Sequence, residues 1–197
     1  MDVEAAARIT PLEPPYDDET AAMLAKWMPP ASEAEPLALF RTLARHRELA
    51  ARMRPLGAGI LGHGLLAPRV REVVIHRTCA LCGAEYEWGV HALAFGQPLG
   101  LSAEQLYSTV HGSAEDGVWD GPEHAAFRLA DELHESGRVG DELFAELGGY
   151  FDPAQIIELA VTAGWYHVIA FVIGTAGVAR EPWAPGFPVA ADRAPRD

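Results

Sequence analysis

The sequence predicts an all-α fold, a helical bundle, on three observations. Apolar residues recur at three- and four-residue spacing, proline and glycine fall between those runs, and no alternating strand pattern appears along the 197 residues. Segments 17–28 and 35–54 carry the helical spacing, the second through Leu37, Phe40, Leu43, Leu49 and Met53. Pro29 and Pro30 separate the two, and Pro55 with Gly57 is expected to close the second, because proline cannot continue a helix ladder. Segment 68–96 is a long helical stretch anchored by Val70, Val73, Val74, Trp88, Leu93 and Phe95, with a break expected at Gly83. Ser102 followed by Gln105 is a capping box that opens a helix over 102–111. Helices over 123–136, 141–150 and 153–179 complete the series, with Gly137, Gly140 and Asp152-Pro153 at the breaks. After Arg180, Pro182, Pro185, Pro188 and Pro195 prevent regular helix, and Trp183 and Phe187 are candidates to pin the arm to a neighbour. The expected organisation is an N-terminal arm with one helix (1–34), a helical domain (35–181) and a Pro-rich tail (182–197).

A hydrophobic content of 49% supplies a core and excludes intrinsic disorder. Fifteen Lys and Arg against 28 Asp and Glu leave a net charge of −13, which repels phosphate backbones and excludes nucleic acid as an expected partner. The opening Met1-Asp2-Val3-Glu4 is acidic where a signal peptide needs a basic start, so a cytoplasmic location is expected. Segment 156–179 is apolar enough to raise a membrane span. Glu158, Thr162, His167 and Thr175 interrupt it, and such groups suit the interior helix of a bundle better than lipid. No membrane partner is expected.

Two motifs fail their context. Gly57-Ala58-Gly59-Ile60-Leu61-Gly62 spells a dinucleotide fingerprint but lacks the strand before it and the acidic residue about 20 positions on, so it reads as a glycine-rich turn. His76, Cys79 and Cys82 stand three apart, but a closed zinc site wants four ligands and no second pair with finger-like spacing exists. No metal is expected.

The chemistry concentrates between Arg71 and His91. Glu87 and His91 stand four apart, so a helix points both to one face as an acid and base pair, and Tyr86 and Trp88 beside Glu87 argue for a partly apolar setting. A solvated helix salt bridge is the alternative at this spacing. Glu72 joins them only if the chain turns, because 19 residues of unbroken helix would hold it about 28 Å from His91. Gly83 is the natural hinge.

Glu85-Tyr86-Glu87-Trp88 followed by His91, with Arg71-Glu72 before it and Glu158, Gly164-Trp165-Tyr166 and Gly177 after it, resembles the carboxymuconolactone decarboxylase family, which includes alkylhydroperoxidase D. The likeness covers roughly 37–181. It implies an alkylhydroperoxidase D-like helical bundle, a homo-oligomer such as a trimer or a ring of six with a dimer as a further form, pockets near subunit contacts, and no cofactor. In the peroxidase branch a glutamate is followed after eleven residues by Cys-x-x-Cys and then, three residues on, a histidine. Counted from Glu72, the cysteine positions fall on Ala84 and Glu87 and the histidine position on His91. Cys79 and Cys82 lie five residues early, near the end of the preceding helix, where no dipole favours a thiolate.

The expected function is a cofactor-free acid and base enzyme acting on a small carboxylated or carbonyl metabolite. Glu87 and His91 carry protons, Glu72 orients His91, and His76, Tyr86, Trp88, Trp165 and His167 line the pocket. Arg71 or Arg77 would offset developing negative charge. One alternative is a thiol peroxidase or disulfide reductase cycling Cys79 and Cys82, with His76 or His91 as base. A second is a non-catalytic oligomeric scaffold.

Overall fold

A computed structural model of the chain describes residues 7–29, 32 and 34–189. The readings made at the N-terminal six residues, Pro30 and Pro195 lie outside the described residues. Among the described residues the secondary structure is helical throughout, with no strand, as the all-α expectation requires. Contacts group the chain into two units, Met1–His63 with Val172–Pro182, and Gly64–Phe171 with Trp183–Asp197.

The first unit holds α1 (Asp18–Ala25), α2 (Ala38–Leu43) and α3 (Arg47–Gly62). Asp17 caps α1 by accepting a hydrogen bond from the Thr20 amide at 2.8 Å. The helix expected over 35–54 differs from what forms. A 3-10 turn at Ala44–His46 splits it, and α3 runs through Pro55 to Gly62. Proline inside a helix forfeits one backbone hydrogen bond, and buried Ile60 anchors the turns beyond it. Gly57 to Gly62 is therefore helix rather than a glycine-rich turn. The fingerprint context is still missing, because no strand precedes it.

The second unit holds α4 (Pro68–Leu81), α5 (Glu85–His91), α6 (Ala103–His111), α7 (Gly121–Ser136), α8 (Asp141–Leu147) and α9 (Pro153–Ala176) up to Phe171. Pro68 starts α4 at a position where its missing N–H costs nothing. Gly83, at φ +64°, reverses the chain after Cys82 so that α5 can return along α4. The Ser102–Gln105 capping box forms in full, and Asp152 and Gln155 make the same reciprocal bonds at the start of α9, at 2.9 and 3.0 Å. The core joins α4, α7, α8 and α9 through Val70, Val74, Leu129, Leu143, Leu147 and Leu159. Burying a side chain of this size stabilises the fold by roughly 1.5–3 kcal/mol.

The arm after Pro182 runs without regular structure through residue 189 and lies against α5. The Phe187 amide donates to Glu85 at 2.7 Å and its ring meets Trp88 edge-on, while a methyl at Gly89 would strike the Pro185 carbonyl. Phe187 pins the arm, and Trp183, expected to share that task, is 50% exposed.

Candidate active site

The reversal at Gly83 brings Glu72 of α4 and His91 of α5 together, with Glu72 Oε2 2.8 Å from His91 Nδ1. Both side chains are buried, Glu72 at 0% and His91 at 3% exposure. Arg71 Nη2 lies 3.3 Å from the other Glu72 oxygen. On its far side His91 Nε2 is 3.0 Å from the Tyr166 hydroxyl of α9 and 3.6 Å from Glu87 Oε1, one helical turn back along α5. Glu87 Oε2 is buried with no hydrogen-bond partner among the described residues, and so is His76 Nε2. His76 donates Nδ1–H to the Glu72 main-chain carbonyl at 2.7 Å, and its ring stands edge-on to Trp88 and His91. A π-helical turn at Ala92–Gly96 sets Phe95 in a stack on His91, with ring centroids 4.9 Å apart.

Burial alone would push the His91 pKa down, but the Glu72 charge and hydrogen bond, with help from Glu87, raise it to about 9. Burial pushes Glu72 up, and the pairing with His91 outweighs it and holds the carboxyl below its usual range. At neutral pH the two form an ion pair in which the imidazolium donates Nδ1–H to Glu72 and Nε2–H to Tyr166. Burial gives His76 the opposite result, a pKa of about 4 and a neutral ring, because desolvation outweighs the upward pull of the Glu72 charge and the His91 cation adds to the lowering. Burial, then the Glu87 charge, pushes the Tyr166 hydroxyl well above its ordinary value, so the phenol stays protonated.

The structure thus brings Glu72, His76, Glu87, Trp88 and His91 into one cluster. Tyr86 and Trp165 are buried. His167 does not join the cluster. It sits one residue after Tyr166, about 100° round α9, and its Nε2 faces His134 at 2.9 Å. Both cysteines are free thiols. Cys79 is fully buried, and burial followed by the Glu87 charge lifts its pKa well above normal; burial also raises Cys82. Of the two arginines, Arg71 adjoins the site, whereas Arg77 pairs with Asp131 and covers the Phe127 ring. Tyr166 is the site residue that spacing did not pick out. A tyrosine on an apolar helix needs a buried partner for its hydroxyl, which is the signal that could have found it. A hollow of about 350 Å³ lined by Tyr16, Leu24, Met28 and Pro36 belongs to the first unit and touches none of these groups.

Comparison with protein-family models finds no match, and comparison with curated proteins finds none. Solved structures do match. An uncharacterized peroxidase-related protein from Ralstonia eutropha JMP134, described as an alkylhydroperoxidase AhpD core, superposes with a TM-score of 0.74 at 14% identity, covering 90% of this chain and 95% of that one. A debrominase in complex with 2,3,4-tribromopyrrole gives 0.73 at 15% identity, covering 88% and 91%. An uncharacterized peroxidase-related protein from Silicibacter sp. TM1040 gives 0.72 at 15%, covering 88% and 93%. The chain therefore has the alkylhydroperoxidase D-like fold, an all-helical scaffold that carries at least one enzyme among these neighbours.

Proposed function

We propose that the protein is a cofactor-free proton-transfer enzyme, a decarboxylase-type lyase like those of the carboxymuconolactone decarboxylase family, acting on a small carboxylated or carbonyl metabolite. One observation carries this reading: a buried imidazolium is held between Glu72 and Tyr166, with the unpartnered Glu87 Oε2 beside it. Loss of carbon dioxide leaves the electron pair of the broken C–C bond on carbon as an enolate. His91 gives its Nε2 proton to that carbon and is reprotonated from water, relayed by the Glu87 carboxylate or by Tyr166. Glu72 keeps the ring oriented and cationic, and Arg71 adds positive charge beside Glu72. The buried ring of Trp88 and the half-buried ring of Phe95, with His76 edge-on to Trp88 and His91, exclude water and strengthen each of these interactions, and Tyr86 and Trp165 are proposed as further lining. A debrominase of the same fold binding a brominated pyrrole supports a small, planar substrate.

The thiols weigh against the dithiol alternative, since both are pushed away from the thiolate form. Free cysteines and an acidic surface suit a reducing, cytoplasmic setting. The 24-residue α9 is long and apolar enough to cross a membrane, and we read it as a bundle helix because Leu159, Thr162, Ala163 and Tyr166 are buried in the protein. Its opposite face exposes Ile157, Val161, Val168 and Phe171, at steps of four, seven and three residues that keep them on one side of the helix, a stripe that suits a second copy in a homo-oligomer.

The test is turnover of a panel of small β-keto acids and lactone carboxylates, read by carbon dioxide release and deuterium incorporation at carbon. His91→Ala and Glu87→Gln should each lower the rate by roughly 10²-fold or more, while Cys79→Ser with Cys82→Ser leaves it within about threefold. Full activity in the first two variants, or peroxide reduction lost with the cysteines, would overturn the assignment.

A further inference from the structure

We propose that Cys82, His134 and His167 form a site for one borderline-soft divalent metal ion of the zinc type. The three come from separate elements: Cys82 caps the C-terminus of α4, His134 lies in the last turn of α7, and His167 lies on α9. Their donor atoms fall within 4.8 Å of one another, with Cys82 Sγ 4.0 Å from His134 Nδ1 and His134 Nδ1 2.9 Å from His167 Nε2. Tetrahedral zinc, with bonds of about 2.0–2.1 Å to nitrogen and about 2.3 Å to sulfur, sets edges of about 3.3 Å between two nitrogens and about 3.6 Å between nitrogen and sulfur. The Cys82–His134 and His134–His167 edges lie within about half an ångström of those figures, and the Cys82–His167 edge, within 4.8 Å, closes as the exposed His134 and the Cys82 side chain adjust.

His167 is already prepared as a ligand. Its Nδ1–H donates to the Ala163 carbonyl at 2.8 Å, which fixes the tautomer and leaves the Nε2 lone pair directed at His134. His134 is exposed, so its ring can adjust without disturbing the core. On binding, the Zn–S bond forms as the Cys82 thiol releases its proton to solvent. His134 keeps its remaining proton on Nε2, and water completes the fourth position on the exposed side. The ion ties the ends of α4 and α7 to α9 and commits the Cys82 sulfur to the metal, leaving Cys79 without a disulfide partner. The site shares no residue with the Glu72–His91 pair and stands independently of the proposed function.

The experiment uses the full chain, stripped with a chelator and then titrated with Zn²⁺ against a chromophoric competitor, and separately with Co²⁺ by absorption spectroscopy. One equivalent should bind, with a thiolate-to-cobalt charge-transfer band and a higher thermal midpoint. Cys82→Ser should remove that band. His134→Ala and His167→Ala should each weaken zinc binding by about tenfold or more, and the double variant should abolish it, while His63→Ala changes nothing. Because His134 is exposed, its replacement leaves the fold intact, which far-UV circular dichroism checks. Wild type binding no tighter than the double variant, or cobalt bound without the charge-transfer band, would overturn the site.

Discussion

His76 and His91 flank one carboxylate, both wholly enclosed by protein, and end with opposite charge: a pKa of about 4 for the first and about 9 for the second. The difference lies in which Glu72 oxygen each ring receives. His91 Nδ1 meets Oε2 at 2.8 Å, whereas His76 Nδ1 is turned to the main-chain carbonyl and stands 3.8 Å from the same carboxylate oxygen. Desolvation opposes the cation in both places. A direct hydrogen bond to a full negative charge overcomes it, and an approach one ångström longer does not. The hairpin at Gly83 therefore sets the chemistry as well as the path of the chain, because it decides which imidazole reaches the carboxylate.

Removing the shared charge should break the contrast most severely. Glu72→Gln leaves the His91 cation buried without its counter-ion, a change that costs about 3–5 kcal/mol in comparable pairs. Urea denaturation should show that loss, and NMR titration should show His91 neutral at pH 7. An unchanged His91 titration would mean that Glu87, not Glu72, holds the proton.

Titration of the wild-type protein sharpens the same comparison with a smaller effect. His91 has a folded pKa raised from 6.5 to about 9, so its contribution is complete below pH 6.5 and is lost as pH rises through 9. His76 has a folded pKa lowered from 6.5 to about 4, so acidification favours the unfolded chain, which takes up a proton first, and stability declines from pH 6.5 towards 4. Stability should peak near pH 6.5 and fall by up to about 3 kcal/mol on each side. In Glu72→Gln the alkaline slope should disappear. Thermal unfolding midpoints measured from pH 4 to 9 check both statements.

The smallest effect comes from crowding the neutral ring. A methyl on Gly96 would lie 3.1 Å from His76 Cε1 and 3.2 Å from Nε2. Gly96→Ala should therefore cost about 1–2 kcal/mol as the ring shifts, with the His91 titration unmoved. A coupled change in His91 would show that the two imidazoles move as one unit.

Local signals made most of this molecule legible in advance. Gly83 announced the hairpin, Ser102 and Gln105 announced α6, and the four-residue step from Glu87 to His91 placed both on one helix. Local signals also misled at Pro55, where a helix with an apolar anchor further on absorbs one missing hydrogen bond. Long-range partnerships left no local trace. Tyr166 meets His91 across 75 residues, and His134 meets His167 across 33, on helices whose relative rotation depends on core packing and not on spacing within any one segment.

The left-handed glycine also bears on the order in which the pieces assemble. Glu72 and His91 stand only 19 residues apart along the chain, whereas Tyr166 must return over 75. The entropy of ring closure grows with the logarithm of loop length, so recruiting the tyrosine costs about 1.2 kcal/mol more than joining the first two. The α4–α5 hairpin is thus the natural early nucleus and α9 the late arrival. Mutations at Gly83 should slow folding, and those around Tyr166 should mainly hasten unfolding, as the two limbs of a stopped-flow chevron would report.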